Sequence, residues 1–313
     1  MDLRVAVLMG GVSSERDVSL RSGRAVARAL RERDCDVIEV DLTEEDIGPV
    51  QACSPDVVFI ALHGRFGEDG GVQAQLEEAG LPYTGSDAQA SRAGMDKMAS
   101  KCFFVTHDIA TPPFRLVTTT QQWDRIGEAA REIGLPLVVK PLRQGSSIGV
   151  TVAKDEEALA IGLAKAFKYG YQALLERYVP GREFTVGILG ETPLPVIEIR
   201  TARPFFTNDA KYADEATEFI TQPDLDLKTR ERLQAMALTA HEALGCRHFS
   251  RVDMMIESDG SPYVLEVNTV PGMTERSLFP LAARAAGVSF PDVCLRIAQM
   301  AAATQAPAKA AVA

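Results

Sequence analysis

Asp253, Glu266 and Asn268 are three oxygen-bearing side chains whose spacing predicts that they meet on one face of a β-hairpin. Asp259-Gly260 lies between the two stretches and favours a two-residue turn, because both residues tolerate positive φ. That turn sets Asp253 opposite Glu266. It also places Arg251 opposite Asn268, on the same face. Carboxylate and amide oxygens form a ligand set suited to Mg²⁺ that shares its coordination with phosphate.

The same register allows an alternative, in which the hairpin is a surface ladder and Arg251 neutralises both acids. The segment 268–272 favours the metal interpretation, because backbone N–H groups after the second strand could face an anion. The register also predicts that Ser258 pairs with Ser261 and that the other face of the hairpin is apolar. That face would consist of Val252, Met254, Ile256, Tyr263, Leu265 and Val267.

A second candidate phosphate site is the run 137–153, which reads as a strand, a loop rich in glycine and serine, and another strand. A Walker loop requires strand–loop–helix and the pattern G-x-x-x-x-G-K-[ST], and this run has neither. A hairpin flap can instead cover phosphates from above. Lys140 ends the first strand just below the loop, where its ammonium could contact phosphate oxygens.

The N-terminal third predicts a parallel α/β unit, with strands at 3–9, 35–42 and 55–62. Its functional loops should lie at the carboxyl ends of the strands, and these loops contain Glu15 and His63. A helix-terminal acid and a buried hydrogen-bonded histidine are the ordinary structural alternatives for the two residues. A dinucleotide fingerprint, G-x-G-x-x-G, does not occur there, which disfavours a nicotinamide-dependent oxidoreductase.

Two further stretches are candidates for nucleotide contacts. Glu176 and Glu183 flank a Pro-Gly bend and could bind the N6 amine and ribose of adenosine, or could simply be solvated acids. Residues 201–222 form a long polar stretch, predicted to be an irregular lid between a strand and a helix. Lys211-Tyr212 lies at its middle.

Composition indicates a globular enzyme of several domains. The 313 residues are 46% hydrophobic and 24% charged, and the net charge of −10 argues against a nucleic-acid partner. Five scattered cysteines without C-x-x-C spacing fit a reducing cytoplasm. The apolar run before Gly10 is too short for a signal peptide or a membrane insertion. Residues 302–313 read as a disordered tail.

Six motifs together resemble those of the D-alanine–D-alanine ligases of the ATP-grasp superfamily. In chain order they are GGVSSER, HGRFGEDG, KPLRQGSSIGV, AKY, SRVDMM and LEVNTVPGMTERS. The resemblance implies an α/β (α+β multidomain) protein with the ATP-grasp fold and an N-terminal Rossmann-like α/β domain. It further implies a homodimer. Each subunit would have three domains, at 1–96, 97–183 and 184–313, and ATP would bind between the last two.

The resemblance also implies roles for the matching residues. Two Mg²⁺ (or Mn²⁺) ions would be held by Asp253, Glu266 and Asn268. ATP would be contacted by Lys97, Lys140, Ser147, Glu176, Val179, Glu183 and Lys211. Substrate binding and catalysis would fall to Glu15, His63, Ser146, Tyr212, Arg251, Gly272 and Ser277.

The implied reaction joins two D-alanine molecules to D-alanyl-D-alanine through a D-alanyl phosphate, for peptidoglycan precursor synthesis. Within this family a tyrosine at the lid accompanies dipeptide formation and a phenylalanine accompanies D-lactate, so Tyr212 favours the dipeptide. A D-alanine–D-lactate ligase or another ATP-grasp carboxylate–amine ligase is the nearest alternative. A non-catalytic nucleotide-binding module is disfavoured, because the full set of acids and lysines stands in the chain.

Overall fold

The first part of the chain forms a parallel α/β unit. The computed structural model describes residues 3–201 and 217–304. Its first elements are β1 (Arg4–Gly10), α1 (Arg16–Arg31), β2 (Asp36–Leu42), α2 (Gly48–Cys53), β3 (Val57–Ile60), α3 (Gly71–Ala79) and α4 (Ala88–Met95). The strands pair in the order β2-β1-β3, and both pairings are parallel. The predicted α/β arrangement is confirmed.

The middle of the chain forms a four-stranded antiparallel sheet with helices. Its elements are α5 (Lys97–Thr106), β4 (Phe114–Thr118), α6 (Trp123–Ile133), β5 (Leu137–Pro141), β6 (Thr151–Ala153), α7 (Glu156–Ala166) and β7 (Gln172–Arg177). The strand order is β4-β7-β5-β6. β5 pairs with β6 across the loop rich in glycine and serine, so the predicted hairpin flap is confirmed.

The last part forms a six-stranded sheet with helices packed against it. Its elements are β8 (Gly181–Leu189), β9 (Thr192–Pro193), β10 (Ile197–Thr201), β11 (Thr217–Ile220), α8 (Leu227–Ala243), β12 (Phe249–Glu257), β13 (Pro262–Asn268), α9 (Leu278–Ala285) and α10 (Phe290–Ala303). The strand order is β11-β10-β8-β12-β13, and β9 pairs with β8. The expected division between 183 and 184 falls inside β8, and the domain boundaries remain a prediction.

The N-terminal sheet and the last two helices share one apolar core. Successive residues of β1 alternate between two apolar clusters, with Val7 in one and Leu8 in the other. The cluster of Val7 extends to α9 and α10. Within it, the Phe249 ring centroid lies 6.5 Å from that of Phe59 and 5.5 Å from that of Phe279. Since burying one phenylalanine contributes roughly 1.5–3 kcal/mol, this core fixes the sheet of β12 against the N-terminal unit.

The turn of the β12–β13 hairpin differs from the prediction. Glu257 donates its N–H to the Ser261 carbonyl at 3.0 Å, and Gly260 donates to the Glu257 carbonyl at 2.9 Å. Three residues, starting with Ser258, therefore form the loop, and the predicted Ser258–Ser261 pair is wrong. Gly260 has φ +85°, the left-handed conformation that glycine adopts without strain.

A β-bulge at Leu265 offsets this shift. Met254 pairs with Val264 and Asp253 pairs with Glu266, so Leu265 is the extra residue. The two one-residue departures cancel, which is why the predicted Asp253–Glu266 pairing still holds. The apolar face contains Val264 in place of Tyr263 and Leu265, which are only half-buried and were predicted wrongly to lie on it.

The predicted lid and tail agree with the structure only in part. Thr201 ends β10 and pairs with Thr217 at the start of β11, so both ends of the predicted irregular stretch are strand. The lid residues Lys211 and Tyr212 lie outside the described residues. Residues 302 and 303, predicted to be disordered, complete α10, and the tail beyond 304 lies outside the described residues.

By length and apolar composition, none of the described helices could cross a membrane alone. The α9–α10 pair would pass such a test only if its 104° bend were disregarded. Both helices are packed in the shared core.

The three-residue turn predicts opposite effects for two substitutions. Ser258→Pro should leave the free energy of unfolding unchanged or raise it, because proline suits the first central position of a β-turn. Gly260→Ala should lower it by about 1 kcal/mol, because no atom crowds the added methyl group and only the positive φ is penalised. Urea denaturation measures both. Strong destabilisation by Ser258→Pro would contradict the turn, since a two-residue turn makes Ser258 a ladder position.

Candidate active site

The hairpin presents the predicted acids on one face. Asp253 is the register partner of Glu266, and Arg251 is the partner of Asn268. Asp253 is only 6% exposed, so the hairpin is not the surface ladder of the alternative interpretation. The strand that carries Asp253, β12, lies between β8 and β13 in the sheet.

Each of the two carboxylates has a cation beside it. Arg251 donates to both oxygens of Asp253, from Nε at 2.8 Å and from Nη2 at 2.6 Å. Thr185 adds a third hydrogen bond, from its Oγ1 to Asp253 Oδ1 at 2.7 Å. The Lys97 ammonium lies 3.9 Å from Glu266 Oε2. Opposed carboxylates are destabilising without such counter-charges.

The donor set fits a hard divalent cation. Asn268 accepts a hydrogen bond from the Val270 N–H at 3.1 Å, which orients the amide and leaves its oxygen a second lone pair. Together with Asp253 and Glu266 it offers oxygen ligands only, the set that Mg²⁺ shares with phosphates. Within the described ranges, His, Cys, Asp and Glu side chains form no group of three or more arranged to hold a metal. An ion here would therefore depend on ligands from a bound phosphate.

A cavity of about 590 Å³ lies between the middle and last sheets. Its lining includes the predicted ATP-contacting residues Lys97, Lys140, Ser147, Glu176, Val179 and Glu183. The bulged Leu265 lies beside Glu266 in the same lining. The six residues come from different elements, so the structure gathers these predicted contacts around one space.

Glu176 lies at the bottom of this cavity between two lysines. It is 1% exposed, so the alternative of a solvated acid is wrong. Its Oε1 contacts the Lys140 ammonium, and its Oε2 lies 2.5 Å from the ammonium of Lys101. Burial acts to raise the pKa of Glu176, but the two lysines outweigh it and hold that pKa below its usual range.

A larger cleft, about 930 Å³, lies between the N-terminal unit and the hairpin. Its lining includes the predicted substrate residues Glu15, His63, Ser146, Arg251, Gly272 and Ser277. Lys97 and Glu266 line both this cleft and the smaller cavity. The two spaces therefore meet at the Lys97–Glu266 pair.

The flap contributes one serine to each space. Ser146 lines the larger cleft and Ser147 lines the smaller cavity. Both have positive φ, 52° and 56°, a conformation that non-glycine residues adopt at a cost. Ser146 donates from Oγ to Glu15 Oε1 at 2.5 Å, which ties the flap to the first residue before α1.

His63 is buried and hydrogen-bonded at both ring nitrogens. Its Nδ1 lies 3.0 Å from Glu68 Oε1, and its Nε2 lies 3.3 Å from Ser22 Oγ. Burial raises the pKa of Glu68, and the adjacent His63 acts against that rise. Glu68 was not assigned from the sequence, although its place in HGRFGEDG, five residues after His63, was a usable signal.

Gly272 and Ser277 close the far side of the larger cleft. Ser277 precedes α9, and its Oγ accepts the Thr274 N–H at 3.1 Å. A side chain on Gly272 would bring its Cβ within 3.0 Å of Ser277 Oγ. Glycine therefore keeps that backbone accessible beside the serine hydroxyl.

Lys101 is the other residue that sequence reasoning missed. It stands one helical turn after Lys97 in α5, whose run KMASKCFFVT is otherwise mostly apolar. A lysine on the same helical face as a candidate ligand was the available signal. Its burial could not be read from spacing, because it depends on β7 and on residue Thr111 packing over it.

Comparison with known proteins bears directly on this arrangement. The model of the D-ala D-ala ligase C-terminus matches residues 103–299, and that of the N-terminus matches 4–48 and 43–86. The chain is 42% identical over 309 residues to the D-alanine–D-alanine ligase of Pelotomaculum thermopropionicum, covering 96% of this chain and 97% of the relative. It is 44% identical over 294 residues to that of Pseudoalteromonas translucida, covering 94% and 95%.

The chain belongs to the D-alanine–D-alanine ligase family. Solved structures agree, and they support the ATP-grasp fold. The D-alanine–D-alanine ligase of Bacillus anthracis complexed with ATP superposes with a TM-score of 0.84 at 35% identity, over 96% of this chain and 97% of that one. The D-Ala:D-Ser ligase of Enterococcus faecalis gives 0.84 at 28% identity, over 96% and 99%. The fold is thus shared by ligases that differ in second substrate.

Replacing Ser146 tests both its contact and its strain. Ser146→Ala and Ser146→Gly each lose the hydrogen bond to Glu15, but only alanine keeps the penalty of positive φ. We expect Ser146→Ala to be less stable than Ser146→Gly by about 1 kcal/mol in denaturant melts. Equal stability of the two variants would show that the flap backbone is not held in this conformation.

Proposed function

We propose that this protein joins two D-alanine molecules to D-alanyl-D-alanine, with ATP converted to ADP and phosphate, as a step in making peptidoglycan precursors. The meeting of a nucleotide-sized cavity and a second cleft at Lys97 and Glu266 carries this proposal. Phosphoryl transfer to a carboxylate requires that ATP and the acceptor are held next to each other, with charged side chains where the two binding spaces meet. The family membership supplies the substrate class.

The nucleotide binds in the smaller cavity. Glu176, the Val179 backbone and Glu183 hold adenosine, and Lys140 with Lys97 contacts the phosphates as point charges. Ser147 of the flap covers the phosphates, and Lys211 reaches the γ-phosphate from the lid. The presence of Lys97 and Lys140 in the lining supports the binding of polyphosphate in this cavity.

The first D-alanine binds in the larger cleft. Glu15 holds the ammonium of this D-alanine, and His63 lies beside the substrate. Glu15, Ser146 and Tyr212 together link the N-terminal unit, the flap and the lid. A carboxylate oxygen of this D-alanine attacks the γ-phosphorus. The bond from that phosphorus to the β–γ bridging oxygen breaks, ADP leaves, and an acyl phosphate forms.

The second D-alanine completes the peptide bond. Its carboxylate binds Ser277, and its amine attacks the acyl carbon. The resulting oxyanion is stabilised by Arg251 and the Gly272 N–H, both in the lining of the larger cleft. Phosphate departs with the acyl oxygen, and the amine loses its proton. Because acyl phosphates react readily with water, closure over the cleft protects the intermediate.

Two Mg²⁺ (or Mn²⁺) ions belong to this reaction. Asp253, Glu266 and Asn268 would hold them, and bound ions would neutralise phosphate charge during transfer.

We further propose that the protein is a cytoplasmic homodimer. All five of its cysteines are free, as in a reducing compartment.

ADP release, measured with ATP and Mg²⁺, tests the activity. We expect release with D-alanine, little with L-alanine, and dipeptide as the product. Adding D-lactate or D-serine to D-alanine tests the second substrate, since a D-Ala:D-Ser ligase has the same fold. Release with those mixtures and none with D-alanine alone would retain the fold and refute the proposed substrate.

Glu266→Gln should abolish turnover, because glutamine lacks the negative charge with which a carboxylate holds Mg²⁺. Asp259→Asn is the matched control, since it makes the same change from acid to amide at the turn of the same hairpin. Asp259 accepts the Ser261 N–H at 2.8 Å, a bond that asparagine can also accept. Full activity of Glu266→Gln, or equal losses in both variants, would contradict the metal role.

Tyr212→Phe should shift second-substrate preference from D-alanine towards D-lactate. The hydroxyl is the only group removed, so a change in the ratio of the two kcat/KM values reports its contribution. Competition between the two substrates at fixed ATP provides the ratio. An unchanged ratio would remove Tyr212 from the specificity set.

A further inference from the structure

Lys101 has a charged environment that the proposed chemistry does not use. Its side chain is 2% exposed, and it is not among the residues lining either cavity. Its ammonium lies 2.5 Å from Glu176 Oε2, on the side opposite to the contact between Lys140 and Glu176 Oε1. One buried carboxylate is therefore shared by two lysines, of which only Lys140 faces the cavity.

Lys101 is fixed on the side away from the cavity. It donates to Thr111 Oγ1 at 2.6 Å, and Thr111 donates in turn to the Val264 carbonyl at 2.8 Å. The Val264 N–H donates back to the Ala110 carbonyl at 2.8 Å. These bonds anchor Lys101 to the hairpin that carries Glu266, so its ammonium cannot turn towards a ligand without breaking them.

We propose that Lys101 is a positioning residue: as the permanent counter-ion of Glu176, it leaves Lys140 available for nucleotide phosphate. This inference rests on the proposed function, because it concerns the phosphate contact of Lys140. The two lysines and Glu176 together have a net charge of +1. Of the two lysines, Lys140 is the one that faces the cavity.

The physical reason is the cost of an uncompensated buried carboxylate. If Glu176 had only Lys140 as partner, moving Lys140 towards phosphate would leave the acid buried and unpaired, which is strongly unfavourable. With Lys101 in place, Glu176 keeps one ion pair while Lys140 contacts phosphate. Burial lowers the pKa of Lys101, and the nearby Glu176 acts against that shift.

A purely structural ion pair makes a different prediction from this charge sharing. Loss of a structural pair would distort the cavity and weaken every ligand in it. Loss of the counter-ion would weaken only ligands that carry phosphate. The ratio of ADP affinity to adenosine affinity separates the two, because adenosine has no phosphate for Lys140 to contact.

Calorimetric titration of adenosine, ADP and the non-hydrolysable analogue AMP-PNP, each with Mg²⁺, provides the test. Lys101→Met should weaken ADP and AMP-PNP by about tenfold or more, the value of one charge-assisted hydrogen bond, and leave adenosine within about twofold. Lys101→Arg keeps the charge and should restore most of the ADP-to-adenosine ratio.

A double variant tests the charge balance itself, and if Lys101→Met does not fold, Lys101→Gln, whose amide can still donate to Thr111, replaces it throughout the comparison. In Glu176→Gln, Lys140 has no carboxylate to hold it, so adding Lys101→Met should leave the ADP-to-adenosine ratio unchanged within about twofold. Lys101→Met in the presence of Glu176 should lower the same ratio. The effect of Lys101→Met on the ADP-to-adenosine ratio should therefore depend on whether Glu176 is present.

Three outcomes would overturn the inference. Equal weakening of adenosine and ADP by Lys101→Met would make the ion pair structural. Unchanged ADP affinity in that variant, with normal binding by the wild-type protein, would remove Lys101 from phosphate binding and leave the proposed function intact. Failure of the wild-type protein to bind ADP would refute the proposed function together with the inference.

Discussion

Two carboxylates facing each other across adjacent strands are the constraint on which the site depends. Asp253 and Glu266 repel each other, and the burial of Asp253 strengthens that repulsion. Arg251 and Lys97 supply the counter-charges from the two sides. The same two cations line the space where phosphate and acyl group would meet. The cations that stabilise the two acids are therefore the same ones that would stabilise charge during the reaction.

The fold brings this hairpin to a junction of two spaces. The sheet containing β12 and β13 is fixed to the N-terminal unit through the aromatic core around Phe249. On its other side, α5 supplies Lys97 and the hydrogen-bonded chain from Lys101 to the Val264 carbonyl. The smaller cavity and the larger cleft consequently share a wall at Glu266. Separate pockets for donor and acceptor with one common charged edge suit transfer of a phosphoryl group.

Sequence reasoning recovered what depends on local pattern. The parallel strands and the flap hairpin followed from apolar runs and turn chemistry, whereas the Asp253–Glu266 pairing was right only because the turn and the bulge offset each other. The turn and the bulge at Leu265 did not follow, because a one-residue bulge leaves no mark in a run of consecutive apolar residues such as Tyr263-Val264-Leu265. Lys101 was missed for a related reason, since its burial arises from contacts between residues far apart in the chain. The flap serines at positive φ likewise depend on tertiary contacts, among them Ser146 with Glu15.

The opposed acids should take up a divalent cation together with nucleotide phosphate. Electron paramagnetic resonance of Mn²⁺, titrated into the protein with AMP-PNP, measures this directly. We expect tightly bound Mn²⁺ in the wild-type protein only when AMP-PNP is present, and a loss of bound Mn²⁺ in Asp253→Asn and in Glu266→Gln. Undiminished Mn²⁺ binding in both variants would contradict this expectation, and the hairpin would then be an ion-pair network without a metal role.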